Sequence, residues 1–145
     1  MTQLRLDDFV PYRLSYTSNL VSEAIARTYE SLFGLTIPEW RLVAVIAEHD
    51  GITQAAICTR TGMDKVTVSR AAIALTARGL VSRAPSISDR RSLELALSSD
   101  GRALYAQIAP KALELEKRIF GGLGTQELRA FVATLRQIDA IVRDA

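Results

Sequence analysis

The chain has 145 residues, of which 48% are hydrophobic and 23% charged, and its formal net charge at pH 7 is +2. This length supports one substantial core, and the apolar content excludes a disordered chain. No apolar run is long enough to span a membrane, the N-terminus shows no hydrophobic leader, and one cysteine excludes an intrachain disulfide, so we expect a cytoplasmic protein without a membrane partner.

The first fifty residues predict two helices. Apolar and small residues recur every three or four positions over residues 9–33, which indicates a long amphipathic helix. Thr36 and Glu39 have the spacing of a capping box, so a second, mostly apolar helix begins there. It ends at residues 49–51, and Ile52 could then add one residue of pairing to a sheet.

Residues 51–97 have the pattern of a helix-turn-helix followed by a two-stranded wing. Val68, Ala72 and Leu75 fall on one side of the second helix and should pack inward. The predicted order is a helix at 53–60, a turn at 61–63, a helix at 64–78, a strand at 80–84, a loop at 85–91 and a strand at 93–97. This order is suited to placing one helix in the major groove of DNA and one loop on the flanking minor groove.

The last third of the chain predicts two more helices. Residues 98–100 cap the first of them, and Pro110 should kink or break it. The glycine-rich residues 121–124 separate it from a last helix, which begins at Thr125 and carries an apolar stripe.

These elements define a fold class that is mainly α with a small β wing. We expect one chain, 1–145, with a winged helix-turn-helix at 36–97 between helices at 1–35 and 98–145. The apolar terminal helices have little to pack against except each other and a second copy, which favours a homodimer. The alternative is an ordinary monomeric core.

The distribution of charge is more informative than its sum. Residues 60–91 contain seven basic and two acidic residues, a net +5, which leaves −3 for the rest of the chain. A basic centre between mildly acidic ends is typical of a DNA-reading module flanked by helices with another role.

The second helix of the motif offers short polar and basic side chains near its N-terminus. Arg70 is the candidate for a bidentate contact to a guanine, or for a phosphate contact. Lys65 is the candidate for a phosphate contact, and Thr67 could meet a thymine methyl group or a phosphate. Ser69 is the weakest of the four candidates, because it could simply fill the surface.

The remaining candidates for DNA contacts lie at the first helix and the wing. Thr53 and Gln54 start the preceding helix, and helix N-termini attract phosphate. Either Arg90 or Arg91 of the wing could enter a narrow minor groove. Asp89 should brace the wing by a charge-assisted hydrogen bond to an arginine.

In these residues the chain resembles the MarR family of bacterial transcription regulators. The motifs that carry the resemblance are the helix-turn-helix at 53–78, Arg-Gly-Leu-Val at 78–81, Asp-Arg-Arg at 89–91, Leu-Ala-Leu-Ser at 95–98 and Thr-Ile-Pro-Glu-Trp-Arg at 36–41. The resemblance implies an obligate homodimer, a pseudo-palindromic operator and repression that a small molecule relieves. It also favours Arg91 over Arg90 for the minor groove, since Arg91 matches the second basic position of the family's Asp-x-Arg.

The resemblance further implies an effector, often an anionic aromatic compound such as an aromatic acid or its thioester. An arginine could hold the carboxylate and aromatic side chains could enclose the ring. The candidate ligand-binding residues are Tyr12, Arg13, Tyr16, Trp40 and Arg41. The alternative is that the arginines form structural ion pairs and that Trp40 belongs to the core.

Other functions find less support in the sequence. Cys58 falls on an inward helix face, where a free cysteine acts as a small hydrophobe rather than a redox sensor. His49 has no cluster of ligand residues around it, and no phosphate loop or catalytic set is visible, so we expect no metal, no cofactor and no enzyme activity. The alternative function is a winged-helix module that binds proteins without specific DNA binding.

Overall fold

The computed structural model describes residues 2–88 and 91–145 of the chain. Its first compact unit spans Met1–Ala109 and its second Pro110–Ala145. The described elements, after a short 3₁₀ turn at Leu6–Asp8, are α1 (Val10–Phe33), α2 (Ile37–Glu48), β1 (Ile52–Thr53), α3 (Gln54–Thr61), α4 (Lys65–Ala77), β2 (Val81–Pro85), β3 (Leu93–Leu97), α5 (Ser99–Phe120) and α6 (Thr125–Asp144). The predicted fold class, mainly α with a small β wing, is therefore confirmed.

Local capping residues determine where the first helices begin and end. Gly34 ends α1 in the left-handed conformation, with φ +64°. At the start of α2, the Thr36 hydroxyl accepts a hydrogen bond from the Glu39 N–H at 3.3 Å, and the Glu39 carboxylate accepts one from the Thr36 N–H at 3.1 Å. This reciprocal pair is the predicted capping box.

The core of the first unit lies where α2, α3, α4 and the sheet meet. Its buried side chains are apolar, and each valine, leucine or isoleucine among them contributes about 1.5–3 kcal/mol relative to an exposed one. They include Leu42, Val43 and Ile46 of α2, Ile57 of α3, Val68, Ala71, Ala72 and Leu75 of α4, and Leu95 of β3. The predicted inward face of α4 is thus confirmed, and this packing holds the opposite face of α4 outward.

The sheet has three antiparallel strands in the order β1-β3-β2. Ile52 pairs with Leu95, as the sequence predicted, and Val81 pairs with Leu97 at the base of the wing. Ser98 joins this sheet to α5, because its hydroxyl donates to the Gly79 carbonyl at 2.6 Å and accepts from the Gly101 N–H at 3.0 Å.

Arg78 has a structural contact that its charge alone does not reveal. Its guanidinium donates to the carbonyl oxygens of Gly34 at 3.1 Å and Phe33 at 3.2 Å. These carbonyls belong to the end of α1, where helical partners are lacking. The end of α4 is thereby bonded to the end of α1.

The second unit contains the C-terminal part of α5 and the whole of α6. Residues 121–124 separate the two helices as predicted, and no residue of α6 is buried within the chain. The expectation that α5 could break at Pro110 is wrong, since α5 continues from Ser99 to Phe120 with the proline inside it. Proline has no backbone N–H, so it donates no helical hydrogen bond at that position. Across the described residues, no helix is both long and apolar enough to cross a membrane.

Candidate nucleic-acid interface

The second helix of the helix-turn-helix, α4, presents a mixed basic and apolar surface. Its buried face is formed by Val68, Ala71, Ala72 and Leu75. Lys65 and Arg70 are exposed, and Ser69 and Thr67 are half-buried at the sides of the helix. The basic side chains near its N-terminus are therefore available to a ligand that approaches from outside.

Asp64 starts α4 and binds Thr67 through two hydrogen bonds. Its carboxylate accepts from the Thr67 N–H at 2.8 Å and from the Thr67 hydroxyl at 2.9 Å. The backbone hydrogen bond and then the hydroxyl bond hold the pKa of Asp64 below its usual value of 3.8. Because the Thr67 hydroxyl donates its hydrogen bond to Asp64, it does not donate one to a phosphate oxygen.

Four of the predicted contact residues line one surface hollow of about 360 Å³, namely Thr53, Gln54, Lys65 and Arg91. Thr53 caps α3, since its hydroxyl accepts from the Ala56 N–H at 3.2 Å. The hollow therefore combines the N-terminus of a helix with a lysine and an arginine. Both features favour an anion.

A second hollow lies along the other side of α4. Its volume is about 510 Å³, and its lining includes Thr67 and Arg70 of α4 together with Thr36, Pro38 and Glu39 from the start of α2. Thr67 and Arg70 thus face a different part of the surface from Lys65.

The wing is described on both sides of its tip. Asp89 and Arg90, which the sequence assigned to bracing and to the minor groove, lie outside the described residues. Near them, the Ser86 N–H donates to the Ser92 carbonyl at 2.8 Å, which closes the hairpin. Arg91 is exposed and lies over the first hollow.

The candidate effector residues fall into two groups. Near the start of α1, the rings of Tyr12 and Tyr16 lie 5.9 Å apart, and the Arg13 guanidinium lies 5.3 Å from the centre of the Tyr16 ring. Arg13 also forms an exposed ion pair with Asp7 at 3.3 Å.

The second group lies on α2. The ring of Trp40 packs on the buried Tyr29 of α1 with a centroid distance of 5.1 Å, and burial raises the pKa of Tyr29. Arg41 is exposed beside it. Trp40 is thus half-buried against α1, and only the α1 group combines an arginine with two accessible rings.

Cys58 and His49 are the two residues for which the sequence predicted no redox or metal-binding role. Cys58 is half-buried in α3. His49 ends α2 and is exposed. Within residues 2–88 and 91–145, no group of three histidine, cysteine, aspartate or glutamate residues is placed to hold a metal ion.

Sequence reasoning missed one residue of the outward surface of α4. Val66 is 59% exposed, next to Lys65 and four residues before Arg70. The signal was available, because a position that lies opposite Val68, Ala72 and Leu75 on a helix must face outward.

The helix-turn-helix, with a strand-paired wing directly after it, defines a winged helix-turn-helix protein. A model of the MarR family matches residues 33–92. The transcriptional regulator HosA of Escherichia coli O157:H7 is 27% identical over 119 residues, which cover 82% of this chain and 88% of that protein.

Solved structures of other proteins superpose on almost the whole of this chain. A MarR/EmrR family transcriptional regulator from Acinetobacter sp. ADP1 superposes with a TM-score of 0.90 at 21% identity, covering 98% of this chain and 100% of the other. Bordetella bronchiseptica BpsR, whose DNA binding is regulated by 6-hydroxynicotinic acid, superposes with a TM-score of 0.87 at 24% identity, covering 95% and 98%. The chain is therefore similar to MarR-family transcriptional regulators in sequence over residues 33–92 and in fold over almost its whole length.

The cap of α4 gives a pH-dependent prediction. We expect Asp64→Ala to lower the free energy of unfolding, because it removes the acceptor for the Thr67 N–H. Since the folded pKa of Asp64 is lowered, its contribution is complete above about pH 5 and is lost as the pH falls through the folded value, below 3.8. Urea unfolding at pH 7 and pH 3 should show a gap between wild type and variant that narrows at pH 3.

The matched control is Asp64→Asn, which keeps a capping oxygen that does not titrate. It should remain close to the wild type at pH 7. A gap between Asp64→Ala and the wild type that is equal at both pH values would contradict the assignment.

Proposed function

We propose that the chain is a sequence-specific DNA-binding regulator that acts in the cytoplasm as a homodimeric repressor. It binds a pseudo-palindromic operator, and a small aromatic acid or its thioester releases it. The observation that carries this proposal is the surface of α4, where the buried side is fixed by the core, Arg70 is exposed on the other side and Lys65 is exposed at the N-terminal end.

The first hollow supports a backbone contact beside this helix. Thr53, Gln54 and Lys65 surround a volume of about 360 Å³ at the N-terminus of α3. A DNA phosphate there would meet the positive end of the helix and the lysine ammonium group. Such contacts fix the register of the helix on the duplex.

The reading residues have separate roles in this proposal. Arg70 contacts a guanine edge, which presents two acceptors in the major groove. Thr67 orders the start of α4 through Asp64, and Ser69 is a minor contact. Arg91, or Arg90 beside it, enters the flanking minor groove, and Asp89 braces the wing.

Exposed apolar residues in each unit support the homodimer. At the start of the first unit, Leu4, Leu6, Phe9 and Val10 are all exposed. In the second unit, α6 buries none of its residues within the chain, and Phe131 and Val142 of its predicted stripe are 45% and 66% exposed. Apolar surface of this kind is covered most simply by the same surface of a second copy.

The effector site that we propose lies at the start of α1. Arg13 supplies a cation for a carboxylate, and the adjacent rings of Tyr12 and Tyr16 supply a face for an aromatic group. Trp40 and Arg41 are further candidates on α2. The regulation of BpsR by 6-hydroxynicotinic acid supports this class of ligand.

The DNA-binding proposal predicts different effects for two basic residues. Arg70→Ala should weaken operator binding by about 1–3 kcal/mol and relax the preference at one base pair of each half-site. Lys65→Ala should weaken binding to all sequences alike and reduce the salt slope by about one phosphate contact. Fluorescence anisotropy on operator and random duplexes, at several salt concentrations, separates the two effects.

The operator for this experiment is selected by the protein from random duplexes. If no sequence is enriched and binding of all duplexes is equal, the alternative of a winged-helix module that binds proteins would replace the proposal.

The dimer proposal predicts the effect of a charge on α6. Phe131→Arg should weaken self-association by at least about tenfold, because an unpaired charge at an apolar interface costs more than about 1.4 kcal/mol. Ala133→Arg adds the same charge on the opposite side of the helix and should leave association unchanged. Sedimentation equilibrium measures both, and equal behaviour of the two variants would exclude the stripe as the interface.

The effector proposal predicts that at least one aromatic acid or coenzyme A thioester binds and releases the operator. Arg13→Ala should then lower its affinity by about tenfold, the worth of a hydrogen bond to a charged group. Arg27→Ala, another exposed arginine of α1, is the control. Isothermal calorimetry with hydroxybenzoic, hydroxycinnamic and 6-hydroxynicotinic acids and their thioesters gives the result, and no heat with any of them would exclude this ligand class.

A further inference from the structure

The outward face of α4 carries two aliphatic residues. Successive residues of an α-helix are about 100° apart, so the buried residues of α4 define its inward direction. Val66 and Ile73 lie on the opposite side, and they are 59% and 55% exposed. The outward face of α4 therefore carries these apolar side chains beside the exposed Arg70, which follows Val66 by about one helical turn.

Val66 stands at the N-terminal end of this face. It is the second residue of α4, between Lys65 and Arg70 in the chain, and both cations are exposed. The N-terminal residues of a recognition helix are those that reach base edges in the major groove. A side chain at this position that lacks any donor or acceptor can contribute only through an apolar contact.

We propose that Val66 reads the 5-methyl group of a thymine in each half-site. This inference rests on the proposed DNA binding and adds a specificity-determining residue to it. The thymine methyl group is the apolar group that a base pair presents in the major groove. The other bases lack this methyl group, so they offer the valine no such contact.

Thr67, the residue that the sequence favoured for this contact, is directed elsewhere. Its hydroxyl is bonded to the Asp64 carboxylate at 2.9 Å, and it lines the hollow beside the start of α2. It is half-buried there, whereas Val66 is open. The methyl contact therefore belongs to Val66.

The spacing along the helix places this thymine relative to the guanine of Arg70. Four residues correspond to about 6 Å of helix axis. Base pairs follow each other at about 3.4 Å. The thymine read by Val66 should therefore lie within about two base pairs of the guanine read by Arg70.

A combined change in the DNA and the protein tests the contact. Each thymine of the selected operator is replaced in turn by uracil, which lacks only the 5-methyl group, and binding of the full-length protein is measured by anisotropy. For the wild type, uracil at one position of each half-site should weaken binding by about fourfold, the factor that burial of one methyl group provides. For Val66→Ala, uracil and thymine at that position should bind alike.

Ile73→Ala is the matched control, since it removes the other exposed aliphatic residue of the same face and should keep the uracil effect at that position. Equal uracil effects for the wild type and Val66→Ala at every position would overturn the inference, and so would the absence of any effect for the wild type. Failure of the proposed DNA binding would give a different result, because the protein would then select no operator from the random duplexes. Thermal unfolding of Val66→Ala should match the wild type, since an exposed residue is removed.

Discussion

The outward surface of α4, which we propose to contact DNA, depends on the burial of the other side of the helix. Val68, Ala72 and Leu75 are fully enclosed against α2, α3 and the sheet, and this apolar contact fixes the rotation of the helix about its axis. A change of rotation by one residue would move a buried valine outward and an arginine inward, at a cost of several kcal/mol. The exposed positions of Val66 and Arg70 follow from this constraint.

Contacts at the two ends of α4 complete its placement. Asp64 bonds to Thr67 at the start of the helix, and Arg78 bonds the carbonyls at the end of α1. The second contact joins the C-terminal end of α1 to the C-terminal end of α4.

The basic residues of the segment 60–91 have distinct positions and partners, which the net charge of the segment does not reveal. Of the basic residues in residues 60–91, Arg78 serves the end of α1, whereas Lys65 and Arg91 line one hollow and Arg70 lines another. The exposed Val66 lies between Lys65 and Arg70 in the chain. In the proposed complex with DNA, Lys65 contributes affinity through a phosphate and Val66 contributes selectivity through a methyl group.

The sequence by itself determined the helices, the strands and most of their ends, because these depend on groups within a few residues of one another. The capping pair Thr36 and Glu39 and the stripe of α4 act within one or two turns of a helix. Only the tertiary structure decided the role of Arg78, whose partner Gly34 is 44 positions away, and the hollow that brings Thr53, Lys65 and Arg91 together. Those features depend on which surfaces meet when distant segments pack, and no local spacing in the sequence records that.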